Sequence, residues 1–283
     1  LAARVAGSLE GSHRIGYDVE TWIEEGLVDI LIPAGAAGTD PAVEVDAYQA
    51  LCSRREIALY PGFDGGVPGP AVGPEDEQTR HNMRTKATSL GYYRQGATGI
   101  YAFNWHADSN RFRELLTQVG SPDTLRGQNK LYNVTHRFRQ KTGPWRGAYK
   151  LDRLRGSLPV PLYRTFAETG PHFTIHLADD LQLDPPTSVT LRLRLQEWVP
   201  GDEIRISWDK CALGNADIQY CHQGDPAPIS DQSSAIWLSH ALEPHQATIG
   251  PHLLETVLLT RHPQLACELI LTDIEVLLLY STP

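Results

Sequence analysis

The residues that could do chemistry in this chain stand at the ends of three apolar runs. Glu10 follows LAARVAG, Asp64 closes IALYPGF, and Asn104, Trp105, His106 and Asp108 follow ATGIYAF, while Arg4 lies inside the first run. Carboxyl groups set around one bond can act as general acid, general base or nucleophile. An indole at the mouth of a site can stack on the C–H face of a sugar. The Asn104 amide can donate to a hydroxyl, and the His106 imidazole can carry a proton or orient a carboxylate. Arg4 would be costly to bury inside a strand unless paired, which points it towards a carboxylate.

Each residue also has a plainer role. Asp64, between Phe63 and Gly65-Gly66, can shape a turn; Glu10 can begin the next helix; Asp108, ahead of Ser109 and Asn110, can cap the helix FRELL. Capping is the expected role for Asp108 and a helix start for Glu10, whereas Asp64 sits directly at a strand end. Tyr60 and Phe63 are expected in the core.

The elements that must position these residues follow a strand-helix alternation from residue 1 to about 140. LAARVAG reads as a strand and DVETWIEEGLVD as a short helix capped by Asp18, with Val19, Trp22 and Ile23 on one face. VDILIPAG is apolar on both faces, as a covered parallel strand should be. PAVEVDAYQALCSRRE reads as a helix with Pro41 in its first turn, IALYPGFDGG as a third strand, EDEQTRHNMRTKATSLGYYRQG as a long helix, ATGIYAFNW as a fourth strand and FRELLTQVG as a closing helix. Right-handed crossovers make four such units a parallel α/β layer. The usual nucleotide-binding glycine motifs are absent. Beyond about residue 158 the period becomes two. TSVTLRLRLQEW sets Val189, Leu191, Leu193 and Leu195 on one face and arginines on the other, and DEIRISW, HLLETVLL and ELILTDIEVLLLY complete a set of strands that points to a β-sandwich or jelly roll.

A net charge of -9 argues against polyanions, so neither nucleic acid nor an anionic membrane surface is an expected partner. No apolar stretch approaches the roughly 20 residues of a membrane-spanning helix, and a soluble protein is expected. The four cysteines are too sparse for a disulfide framework and read as buried thiols, with Cys211 and Cys221 able to meet across a hairpin. His172 and His176, four apart in HFTIH, share a strand face without a metal signature. No metal or organic cofactor is implied.

The phrases IGYDVETWIEEGLVDILIPAG, IALYPGFDGG, GATGIYAFNWHAD and RELLTQVGSPDTLRGQNKLY resemble a bacterial family of glycoside-hydrolase-like TIM-barrel proteins in which a barrel precedes a β-sandwich. The resemblance extends over nearly all of the chain and implies that its four strands correspond to the last four of eight, the first four being absent. In retaining glycosidases that such barrels resemble, the general acid lies at the end of the fourth strand and the nucleophile at the end of the seventh. The resemblance carries the second position to Asp64, a departure from the Glu that is usual there. Glycosidic cleavage ordinarily uses two carboxyl groups, about 5 Å apart when configuration is retained and about 6.5–9.5 Å apart when it is inverted.

Half of a (β/α)₈ TIM-type barrel over residues 1–143, a linker over 144–160 and a β-sandwich accessory domain over 161–283 are therefore expected. The expected ligand is a carbohydrate, with Asp64 and Glu10 as catalytic carboxylates and Arg4, Asn104, Trp105, His106 and Asp108 around the substrate. Half a barrel leaves open strand edges, which a second copy or a missing amino-terminal half-barrel could close. The rival reading is a non-catalytic carbohydrate-binding or interaction protein that uses the sandwich, with Trp198, Trp208, Tyr220, His222 and Trp237 as candidate lining and core packing as the stronger reading for the tryptophans.

Overall fold

The computed structural model describes residues 1–35, 39–64, 75–105, 110–135, 157–221 and 235–281. The chain divides into two compact units. The first comprises Leu1–Pro68, Arg84–Arg126 and Arg137–Gly156, and the second Gly69–Met83, Gly127–His136 and Ser157–Pro283.

The first unit is built on a parallel sheet. Strands β1 (Ala2–Ala6), β2 (Ile30–Ala34), β4 (Gly62–Asp64) and β5 (Tyr101–Phe103) lie side by side in chain order, and the two-residue β3 (Ala58–Leu59) also pairs with β2. The single run expected over IALYPGFDGG is thus two short strands, interrupted at Tyr60-Pro61, because a proline carries no N–H for the ladder. Gly62 continues the run against Ala34; a Cβ at Gly62 would lie 2.7 Å from the Ala34 Cβ, so only glycine allows this approach.

Short helices connect the strands. Helix α1 (Leu9–Arg14) is capped by Ser8 and α2 (Val19–Glu24) by Asp18, whose carboxylate accepts from the Thr21 N–H at 3.2 Å. Val19 and Ile23 turn inward to join Val5, Leu31, Leu59, Phe63 and Tyr92 in one core. Helix α3 spans Val45–Cys52 with Glu44 before it, so Pro41 lies in a preceding turn rather than in the helix's first turn. Helix α4 (Glu77–Arg94) contributes its residues from Arg84 onward to this unit, and α5 (Asn110–Val119) and α6 (Pro122–Leu125, capped by Ser121) follow β5.

The second unit holds two antiparallel sheets. One is ordered β11 (Cys211–Ala212), β10 (Glu203–Trp208), β14 (Gly250–Thr260), β8 (His172–Leu177); the other is ordered β12 (Asp217–Tyr220), β13 (Ile236–Ala241), β9 (Ser188–Gln196), β15 (Leu269–Leu279), β6 (Lys130–Asn133), with β7 (Val160–Leu162) also on β15. Val189, Leu191, Leu193 and Leu195 of β9 are buried as period two predicts. The arginine face is buried as well. Arg192 is 4% exposed and Arg194 3%, and Arg192 meets Glu75 at 2.7 Å and Glu275 of β15 at 3.0 Å. Arg80, from the first part of α4, bonds Glu75 at 3.2 Å and also pairs with Glu275. Both guanidinium groups lie over the Trp237 ring, at 5.4 and 5.6 Å from its centroid. The start of α4 covers this side, where Met83 packs with Leu131 and Leu277. Elsewhere in the unit Lys130 donates to Asp179 at 2.8 Å, and Tyr132 donates to the same carboxylate at 2.6 Å.

Of the segment expected as a linker, residues 144–156 lie outside the described residues, and Val160 already begins β7. The cysteines are all free, and only Cys52 is buried; Cys211 and Cys267 are exposed, which corrects the expectation of four buried thiols. Burial pushes the Cys52 thiol up to about 11 and keeps it protonated.

Candidate functional site

The sheet of the first unit brings several of the expected residues to one end. Asp64 is the last residue of β4 and stands in register with Phe103, the last residue of β5. Asn104 and Trp105 follow at once. Asn104 is exposed and has φ +54°, a left-handed conformation that asparagine tolerates better than most residues. It turns the chain as the strand ends. Trp105 is half-buried, and its ring meets Phe63 edge-on at 6.0 Å, so packing accounts for at least one side of the indole. Phe63 is fully buried and also meets Tyr92 at 5.7 Å, the core role expected for it.

Arg4 enters from β1. It is exposed rather than buried, donates from Nη2 to the Gly35 carbonyl at 3.0 Å, and lays its guanidinium over the Phe103 ring at 4.9 Å from the centroid. Gly35 is the first residue past β2, so Arg4 links the end of β2 to the end of β5. Phe103 in turn stacks on Tyr101 at 6.5 Å. An exposed aromatic next to an exposed guanidinium at a strand end is a surface on which a ligand ring can lie.

Glu10 is in the first turn of α1, where a carboxylate favours the helix N-terminus, and it pairs with Arg14 one turn on. It is exposed. His106 and Asp108 lie outside the described residues. Among the described residues no three His, Cys, Asp or Glu side chains gather as a metal site would need.

Two residues were missed in the sequence. Ser12 and Tyr48 are buried and bonded to each other at 2.9 Å; Tyr48 donates to the Ala6 carbonyl at 2.7 Å, and the Ala6 N–H donates to Ser12 Oγ at 3.2 Å. Together they satisfy both peptide groups at the end of β1 and fix where that strand delivers the chain. A buried serine two positions after Glu10 and a tyrosine within the apolar stripe of α3 were the available signals.

In the second unit Trp198, Trp208 and Trp237 are buried, the core role expected for them. Trp208 stacks on His252 at 4.8 Å, and Asp209 holds the His252 Nδ1 at 2.7 Å. Tyr220 is exposed on β12, and His222 lies outside the described residues.

No protein family and no curated protein matches the sequence. Among solved structures, a crystal structure of a two-domain esterase active on acetylated mannans, co-crystallised with mannopentaose, is weakly similar. It is 10% identical, with a TM-score of 0.27 over 90% of this chain and 73% of that one. A likeness of that size carries no argument about fold or activity.

Proposed function

We propose that the first unit is the carboxy-terminal half of a (β/α)₈ TIM-type barrel in a glycoside-hydrolase-like protein, followed by a β-sandwich accessory domain, and that it acts on a carbohydrate by carboxylate-mediated hydrolysis. The observation that carries this reading is the meeting of Arg4 and Phe103. Strands β1 and β5 are separated by β2 and β4, which in a flat sheet sets them about 14 Å apart. Side chains from the two outermost strands converge when a sheet curls towards an axis, as barrel staves do. The chain-order sequence of parallel strands supports the same reading, because open nucleotide-binding sheets reverse their order at a switch point.

In this proposal Asp64 is the nucleophile, with Arg4, Asn104 and Trp105 holding the sugar and His106 and Asp108 close by in the chain. Glu10 is tied to Arg14 on the surface of α1, and β1 lies two strand spacings, about 10 Å, from β4. The proposal therefore rests on Asp64 and takes its acid from a complementary half-barrel, in a longer chain or a second copy. Carbohydrate binding by the sandwich without catalysis is less well supported, because the tryptophans that would serve it are buried.

The test is mass in solution together with turnover of a panel of aryl glycosides and aryl acetates. Release of the aryl group from a glycoside, lowered by about three orders of magnitude in Asp64→Asn, is expected of the complete barrel. A modest change moves the nucleophile elsewhere. Release from the acetates alone replaces glycosidic with ester cleavage, and a monomer with no turnover removes the enzymatic reading for this chain.

A further inference from the structure

The second unit contains a cleft that the proposed hydrolase does not use. Ile204 and Ile206 of β10, Leu213 after β11, Ile218 of β12, and Leu238 and His240 of β13 line a space of about 750 Å³. That is the size of a small-molecule site. Strands β10 and β13 belong to different sheets, and the segment Leu213–Ala216 passes from the edge strand of one to the edge strand of the other. The cleft is thus the entrance between the sheets. Leu238 stands in register with Leu193 and with Ile218, and His240 with Leu191. The cleft is lined by the continuation of the apolar face that β9 buries.

One group breaks this apolar lining. His240 is 7% exposed, and its Nε2 is buried without a hydrogen-bond partner among the described residues. A buried ring nitrogen left unpaired is destabilising, and a ligand that brings a hydroxyl to it recovers that loss. Burial lowers the His240 pKa against the opposing pull of Asp217, so the ring is neutral near pH 7. A neutral imidazole can accept from a hydroxyl or donate to it, according to tautomer.

We infer that this cleft binds a neutral aliphatic molecule with a single hydroxyl head, the chain lying between the sheets and the hydroxyl bonded to His240. The lining decides against two other classes. Asp202 and Glu203 line the cleft, while Arg205, its cation, is engaged by Glu168 at 2.9 Å. Asp202 is itself paired with Arg261, and Glu203 accepts from Thr260 at 3.0 Å, so an anionic head would meet the Glu203 carboxylate with Arg205 already engaged. Trp198 is the sole Trp, Tyr or Phe among the described lining residues, and Ile204, Ile206, Leu213, Ile218 and Leu238 beside it are aliphatic, a lining that suits an alkyl chain better than a sugar.

The test is titration of the full chain with 1-octanol, octanoate and mannopentaose, read by calorimetry and by the imidazole ¹⁵N resonances of His240. Saturable binding of 1-octanol that shifts those resonances is expected, with octanoate at least about tenfold weaker and mannopentaose leaving His240 unmoved. His240→Leu is expected to weaken 1-octanol about fivefold, the value of one hydrogen bond. Ile218→Trp, at an exposed position that leaves the core intact, is expected to abolish binding by filling the entrance. If His240→Leu fails to fold, the wild-type resonances and Ile218→Trp decide. Absence of saturable binding, binding that leaves His240 unmoved, survival of binding in Ile218→Trp, equal affinity for octanoate, or a response of His240 to mannopentaose overturns the inference. None of these readings depends on hydrolysis.

Discussion

Both units carry arginine into a strand, and they treat it in opposite ways. Arg192 and Arg194 of β9 are buried in a sheet face, and Arg192 shares Glu75 and Glu275 with Arg80. Arg4 of β1 is exposed, bonded to a backbone carbonyl and laid over an exposed ring. A buried guanidinium is kept only where carboxylates and further hydrogen bonds replace its water, and a group so enclosed is out of a ligand's reach. The Arg4 side chain, exposed on β1, remains within reach of solvent. The first arrangement serves the fold; the second leaves room for recognition.

The strongest way to break this contrast is Glu275→Ala. It removes the carboxylate shared by Arg80 and Arg192 and is expected to cost about 3–5 kcal/mol, read as a lower urea midpoint. A cost below about 1 kcal/mol would make the network a bystander.

Gly62→Ala probes the other unit. Its new Cβ meets Ala34 at 2.7 Å and is expected to cost about 1–3 kcal/mol by overpacking, with any turnover lost alongside because β4 ends at Asp64. An unchanged midpoint would contradict the close approach of β2 and β4.

Acid sharpens the contrast. Burial alone would raise the Glu75 carboxyl, but the hydrogen bond and charge of Arg192, with Arg80, outweigh it and hold the pKa below the ordinary glutamate value. A depressed folded-state pKa gives stability that is present above about pH 4.3, the unfolded value, and is lost as pH falls through the folded value. The urea midpoint of the wild type is therefore expected to fall below about pH 4, and Glu75→Gln to flatten that part of the profile. A profile of the same slope in the variant would assign the acid sensitivity elsewhere.

The smallest stability effect is expected for Arg4→Met, below about 1 kcal/mol by thermal unfolding, since the side chain is exposed. Its consequence should instead fall on ligand affinity or turnover, and a large loss of stability would move Arg4 into the structural class of Arg192.

Much of the parallel unit was legible. The strand-helix alternation, the Asp18 cap and the core positions Val19, Ile23 and Phe63 follow from periodicity and capping, which act over a few residues. The split of the third strand at Pro61 was equally local and was missed because a long apolar run outweighed one proline. The candidate site was legible only as a set of strand ends. That Arg4 reaches Phe103 across two intervening strands depends on how the whole sheet is assembled, which no window of sequence contains.

The antiparallel unit shows the same division. Period two in TSVTLRLRLQEW correctly buried its leucines, and the alternation also made the arginine face readable as a separate face. Whether that face met water was another matter: it depends on Glu75 and Arg80, more than 100 positions earlier, and on Glu275 in β15. Asp273 and Glu275 inside an otherwise apolar strand were the sign that opposite charges would be needed.

From sequence by itself came the strand-helix order of the first unit, the longer strands β9, β10, β14 and β15 of the second, and the side-chain alternation, because backbone sterics and hydrophobic period operate between near neighbours. Tertiary structure alone decided which charges are enclosed, which strand ends lie side by side, and that His240 Nε2 has no hydrogen-bond partner among the described residues. Those outcomes are set by which distant segment displaces water from a given face.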